Sequence, residues 1–560
     1  MEQIKFKDMP YTRPSKDEIL ASLAAFSKRA EEAESFSELE KVLEEYSSYI
    51  NEINTLGTLS FIRFTQNTQD EFYVKENDFW DEVSPEINFS VTKFQEIIYN
   101  SKFRKELEEI FTPVFFDRIK LSLSVSDERL IPLEVETAKM VSNYTKLMSG
   151  LVVDFNGEKL PPSGIAKYAT NPNRELREGA YTALGKKYME VADQLDEIFD
   201  NLVKMRTKQA NTIGQDVFSP LGYAHMLRTC YTKEDIAKFR SNVKKYFVPL
   251  VSKIKHHVQA DLGLDRIAFY DDSIYSLKNT NPYGDFSEMF KNAEEMYDEM
   301  APEASSLFRR MEAMETFDIE SRPGKWGGGY QTELPKYGIP FILGNFNGSC
   351  DDIGTFTHEF GHALNASFNM QRKFASLLTL TMETAECHSM GMEFMTYPWM
   401  DKFFKDRLDD YKFTHIAGAI AFIPYGTIVD AFQQYIYDNP NLTPQERIEY
   451  WKELEREFLP YMDNSNIPFY GDGRRWQRQA HIFESPFYYI DYCLAQFTAF
   501  QFLAESVKDY DKALEKYLNF SKLGPTRSFT ELIELSGLKS PFEEDSFKDI
   551  VKTVEELLGL

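Results

Sequence analysis

Cysteine is scarce in this sequence, with Cys230, Cys350, Cys387 and Cys493 the only four in 560 residues and no CxxC or other paired spacing among them. That excludes a disulfide framework and a thiolate zinc site, and it fits a reducing compartment. Positive charge is short as well: 63 Lys and Arg stand against 89 Asp and Glu, for a formal charge of −26. A protein that holds a phosphate backbone needs a basic surplus on one face, so nucleic acid is not expected as a partner. The first ten residues hold no apolar stretch of the kind that opens a secretory leader. The longest uncharged stretch worth testing as a span, residues 416–429, is broken by Gly418, Pro424 and Gly426. A membrane span needs roughly 20 apolar residues, so no membrane partner is expected and a cytoplasmic protein is.

Aromatic residues are plentiful, with 46 Phe and 31 Tyr in a chain that is 42% apolar. Such a chain folds around a large core despite its charge. Residues 16–139 read as successive amphipathic helices, with Ile19, Leu20, Leu23 and Phe26, then Phe36, Leu39, Leu43 and Tyr46 at helical spacing. Around residues 151–160 two short strands flank Asn156-Gly157, the signature of a tight hairpin turn. The breaker Pro161-Pro162-Ser163-Gly164 follows. A lobe boundary is therefore placed near residue 150, with a helical N-terminal region over 1–150 and a second region over 151–560. Helical periodicity resumes over 173–307, with polar loops near Asp261 and Asn279. Residues 323–350 turn glycine-rich and then apolar, which predicts a small sheet containing a strand over 340–346.

The most informative segment comes next: His358-Glu359-Phe360-Gly361-His362, an HExxH pattern. Given eight His and 89 acids in the chain, about 0.02 such matches arise by chance. Residues four apart share one helical face, so His358 and His362 can hold one metal ion while Glu359 reaches a water on it. A site of this kind takes a third protein ligand and keeps a fourth position open. Glu383, Glu386 and Glu393 fall on nearly one face of a downstream helix, and any of them can reach back to the ion. Cys387 and His388 point to other faces of that helix, which suits packing. The glutamates that do not ligate suit hydrogen bonds to the imidazoles.

These residues resemble the zinc oligopeptidases that include oligoendopeptidase F, Pz-peptidase and thimet oligopeptidase. The resemblance rests on the HExxH segment, on Glu386-Cys387-His388-Ser389 followed by Glu393, and on Phe422-Ile423-Pro424-Tyr425-Gly426. It extends to Pro486-Phe487-Tyr488-Tyr489-Ile490-Asp491-Tyr492, typical of the oligoendopeptidase F branch, and covers most of the chain from about residue 173 onward. It implies Glu386 as the third ligand to one Zn2+. It also implies a mainly α, two-lobed fold with a small sheet beside the HExxH helix, a deep central channel, and short peptides as substrates. Glu359 then acts as general base on water and as proton donor to the departing amine. A peptidase also needs hydrogen-bond donors for the tetrahedral oxyanion. His481, Tyr489 and Tyr492 are the candidates, the two tyrosines lying three apart, with Tyr488 read as packed.

Other features take plainer readings. Gly327, Gly328 and Gly329 lack the pattern of a phosphate loop and fit flexible chain beside a sheet edge that holds an extended peptide. His225, His256, His257 and His415 are given no role. A zinc carboxypeptidase or dipeptidyl carboxypeptidase shares HExxH but needs a cation for the substrate's terminal carboxylate, for which Arg474, Arg475 and Arg478 are available. A metal-stabilised binding protein is the non-enzymatic alternative.

Overall fold

Ser15 and Ser35 each accept a hydrogen bond from the backbone N–H three residues on and so start two long helices, α1 (Lys16–Glu32) and α2 (Phe36–Gln66). Asp70 does the same for α3 (Glu71–Tyr99). Each helix turns one apolar stripe inward: Ile19 and Leu23 from α1, Leu39, Leu43, Tyr46 and Ile50 from α2, and Trp80, Ile87 and Phe94 from α3. The Tyr46 and Phe94 rings stack 3.7 Å apart at the centre of this core. Fully burying a side chain of this size contributes roughly 1.5–3 kcal/mol.

The computed structural model describes residues 4–560; the first three residues, part of the stretch read for a leader, lie outside them. The described chain is mainly helical with small sheets, as expected. It gathers into two compact units, each built from three separated segments. The first comprises Met1–Ser124, Thr280–Leu408 and Thr498–Leu538, and the second Val125–Asn279, Asp409–Phe497 and Lys539–Leu560. The boundary read near residue 150 lies inside the second unit, just before its hairpin.

In the first unit a three-stranded sheet is formed by β1 (Phe317–Glu320), β2 (Tyr330–Leu334) and β3 (Ile339–Phe346) in the order β1-β3-β2. The apolar strand β3 is central, parallel to β1 and antiparallel to β2. The strand expected over 340–346 is thus the central one, and the edge beside Gly327, Gly328 and Gly329 is β2. Its polar sequence, Tyr-Gln-Thr-Glu-Leu, carries little strand signal, whereas β3 reads as the buried run that a two-sided strand requires.

In the second unit the hairpin pairs Val153–Phe155 with Glu158–Leu160. Asn156 (φ 53°) and Gly157 (φ 80°) both adopt the left-handed conformation that a type I′ turn demands. The run at 416–429 is not interrupted. Gly418, Pro424 and Gly426 lie inside one helix, α6 (Leu408–Asp438). Pro424 removes one helical N–H, a loss of about 3 kcal/mol. Burial of Ile420, Ile423, Ile428, Val429 and Phe432 on both sides of it offsets that loss. Gly426 permits a close approach, because an added Cβ would lie 2.3 Å from the Cys493 sulfur on α7 (Tyr489–Lys508). Among the described residues, one helical stretch, Asp401–Asp438, is long and apolar enough to cross a membrane, and 67% of its most apolar window is buried within the protein.

Candidate metal centre

The HExxH segment lies on α4 (Asp351–Met370), which follows β3 after a four-residue loop. Asp352 in the first turn accepts hydrogen bonds from the N–H groups of Asn347 (3.0 Å) and Gly348 (2.7 Å), tying that loop to the helix start. One side of α4 sends Phe356 and Phe360 into an aromatic cluster with Tyr297, Phe308 and Phe317; the Phe360 and Tyr297 rings stack at 3.8 Å. Another side carries His358 and His362, whose ring centroids are 5.1 Å apart.

Helix α5 (Met382–Met395) crosses α4 at Gly361, where an added Cβ would lie 2.5 Å from the His388 carbonyl oxygen and 2.8 Å from Ser389 Cα. Only glycine fits so close a crossing, and the crossing brings Glu386 to the imidazoles. Its Oε2 lies 3.4 Å from His358 Nε2 and 3.6 Å from His362 Nε2. One ligand atom from each of these residues lies within 4.8 Å of the others. Ligands about 2.1 Å from a tetrahedral ion are about 3.4 Å apart, so this donor set fits a divalent cation.

Neighbouring groups fix these three side chains. The Glu393 carboxylate is 2.7 Å from His358 Nδ1, the arrangement that leaves Nε2 facing an ion. Ser389 donates to Glu386 Oε2 at 3.1 Å. Burial opposes a charged His358, yet hydrogen bonds to Glu386 and Glu393 hold its pKa well above the usual value. Burial likewise opposes a charged Glu386, and the two imidazoles hold it well below the carboxylate range. The pocket thus favours positive charge. Glu359 is 8% exposed, and burial raises its pKa while the imidazoles and the backbone N–H of Gln331 draw it down. Glu383 is buried one turn before Glu386.

Cys387 and His388 pack, as their faces suggested. Cys387 is fully buried. His388 Nε2 lies 3.3 Å from the Asn365 amide, and burial pushes its pKa down to about 3, which keeps it neutral. Tyr517 on α8 (Tyr510–Leu523) donates to the His388 carbonyl at 2.6 Å.

His481 and the tyrosines are gathered within the second unit. The His481 ring is 5.8, 5.0 and 5.9 Å from the rings of Tyr488, Tyr489 and Tyr492. Gln479, which the sequence did not single out, and Tyr425, quoted there only as part of a motif, orient it. Tyr425 donates to Gln479 Oε1 (2.8 Å), which turns the Gln479 amide nitrogen to His481 Nδ1 (2.9 Å). Burial lowers the His481 pKa, so the ring is neutral and its one proton sits on Nε2, a donor. The turn into α7 is pinned at Phe487 (φ 67°), whose N–H reaches Gln433 and whose carbonyl accepts from Arg228. Arg474 is taken by Asp196 (2.6 Å), and Arg475 is buried beside Glu455 (3.7 Å) with its guanidinium over the Tyr425 ring.

A helical body with HExxH on one helix and a carboxylate brought to both imidazoles by the next is the arrangement of a metallopeptidase. Residues 6–126 match the peptidase M3 N-terminal domain and residues 167–551 match peptidase family M3, and the chain belongs to that family. It is a metallo-oligopeptidase. The chain is similar to Pz peptidase A solved with an inhibitor, at 35% identity, 99% coverage of both chains and a TM-score of 0.92. It is also similar to a putative oligoendopeptidase F from Bacillus anthracis str. Ames, at 34% identity, 99% and 98% coverage and a TM-score of 0.88. Oligopeptidase PepF of Bacillus subtilis (strain 168) is 21% identical over 475 residues, 78% of this chain and 67% of that protein.

Proposed function

We propose that this protein is a zinc-dependent oligoendopeptidase that hydrolyses internal bonds of short peptides, with His358, His362 and Glu386 as metal ligands. The observation that carries the reading is the approach of one Glu386 oxygen to both imidazole Nε2 atoms. A zinc ion held there supplies a Lewis acid that activates water and polarises a peptide carbonyl. Glu393 holds His358 in the tautomer that leaves Nε2 for the ion, and Ser389 holds the Glu386 carboxylate. Glu359 takes the proton of the attacking water and passes it to the departing amine; burial lifts its basicity, which suits that exchange. His481, through Nε2–H, and the Tyr489 and Tyr492 hydroxyls serve as donors to the oxyanion. Restriction to short peptides is supported by the names of the oligopeptidase relatives.

Of the three cations that the carboxypeptidase alternative could use, Arg474 and Arg475 are already engaged by Asp196 and Glu455, which supports cleavage at internal bonds, while Arg478, set over the Phe269 ring, is the candidate that the alternative retains. An internally quenched peptide blocked at both ends tests the whole reading. The purified protein is expected to cut it, to lose activity with a chelator and to regain it with Zn2+. Glu359→Gln is expected to bind zinc while turnover falls by a factor of about 100 to 10,000. An uncut blocked peptide refutes the endopeptidase assignment, and an active E359Q protein refutes the role of Glu359.

A further inference from the structure

A cavity of about 500 Å3 in the first unit lies outside the ligand cluster, between β2, α2 and α3. Gln331, Thr332 and Glu333, three consecutive residues of β2, all line it. Successive strand side chains point to opposite faces, so a cavity touched by three in a row runs along the strand edge. Among the described residues that edge is free of sheet partners, since β2 pairs there only with β3. The backbone N–H of Gln331 faces the Glu359 side chain and helps to lower its pKa, so it points away from β3. Backbone groups two residues apart point to the same side, which turns those of Glu333 to the free edge as well. The edge therefore begins beside the proposed general base and leads, about 7 Å further on, to Glu333.

Among the described residues, Glu333 is the only ionisable side chain that lines the cavity. Its described neighbours there are Asn54 and Thr58 from α2 and Ser84 and Asn88 from α3, with the indole of Trp80 as an apolar wall. No basic side chain is paired with it among the described residues, and burial alone pushes its carboxyl up to about 7. An acid left in a cavity without a counter-charge is complementary to a cation brought in by a ligand.

We propose that Glu333 is a specificity-determining residue that selects peptides carrying an ammonium or guanidinium group about two residues from the cleaved bond. The proposal rests on the peptidase reading above: an extended substrate along β2 places a side chain or amino terminus in the cavity, where a carboxylate and a ring of amide and hydroxyl groups receive it. Binding the cation also draws Glu333 into its ionised form, so substrate charge and protein charge are completed together.

The test uses doubly blocked peptides with a single Lys, or the neutral near-isostere norleucine, at successive positions around one cleavage site. Wild-type kcat/KM is expected to favour Lys at one position by at least about tenfold, and Glu333→Gln to remove most of that preference. Equal Lys-to-norleucine ratios in the two proteins overturn the proposal. Wild-type protein that cuts neither peptide overturns instead the activity on which the proposal rests. Should E333Q cut neither, the wild-type protein decides: its lysyl preference must rise with pH through about 7 as the free carboxyl ionises, and a flat ratio overturns the proposal.

Discussion

The crossing of α4 and α5 at Gly361 makes a demanding prediction for Gly361→Ala. The new methyl would lie 2.5 Å from the His388 carbonyl oxygen, 2.8 Å from Ser389 Cα and 2.9 Å from Met392 Cβ. Ordinary contacts are about 3.3 Å for carbon to oxygen and about 3.5–4.0 Å for carbon to carbon. All three obstacles are anchored on α5 near its backbone, so the helices must separate by about 0.5–1 Å. Metal–ligand distances tolerate about 0.2 Å, and Glu386 moves with α5. Zinc affinity is therefore expected to fall by a factor of at least about 10 to 100. Stability shifts less, because alanine gains about 1 kcal/mol over glycine inside a helix while overpacking costs about 1–3 kcal/mol. Titrating metal-free wild-type and G361A proteins with zinc against a chelating indicator, with thermal melts of both, separates the two effects. A G361A protein with the wild-type zinc Kd and melting temperature refutes the account of the crossing.

Glu393→Gln weakens the hold on His358 Nδ1 and is expected to lower zinc affinity by a factor of about 10 to 100, measured by the same titration. Lys255 is 1% exposed and pairs with Asp272 at 2.9 Å. Burial raises the Asp272 pKa, but Lys255 and Arg475 outweigh it and hold the carboxyl below its usual value. The folded protein thus binds that proton more weakly than the unfolded chain, so this stabilisation is present above about pH 4 and drains as pH falls through the folded value. Lys255→Met is expected to cost about 3–5 kcal/mol at neutral pH, with the difference from wild type shrinking in acid as Asp272 becomes protonated. Urea unfolding at a series of pH values reads this directly, and a pH-independent difference contradicts it.

Local periodicity made the histidine pair legible: His358 and His362 share a helical face whatever surrounds them. Which glutamate joins the two histidines was not legible from spacing, because Glu383, Glu386 and Glu393 occupy one face and only the height at which α5 crosses α4 distinguishes them. That height is set by Gly361, whose signal was a glycine inside a helix otherwise rich in bulky residues. The hairpin at Asn156-Gly157 was readable because both residues tolerate positive φ. The opposite held at Pro424, where a local breaker was overridden by burial among residues distant in sequence. Strand β2 escaped notice because an edge strand needs no apolar pattern. The Gln479 and Tyr425 contacts that orient His481 depend on tertiary placement alone.

The interleaved segments bear on how the chain is made. Tyr517, which secures the His388 carbonyl on α5, lies 129 residues further along the chain. It belongs to Thr498–Leu538, the last segment of the first unit, while Lys539–Leu560 completes the second. A ribosome adding about 5–20 residues per second has therefore exposed His358, His362 and Glu386 for roughly ten seconds before their support arrives. Unlike a protein whose domains follow one another in sequence, this one cannot finish either unit until its C-terminal segments emerge, so the nascent chain passes through a long incomplete stage in which holdase chaperones have the most to bind.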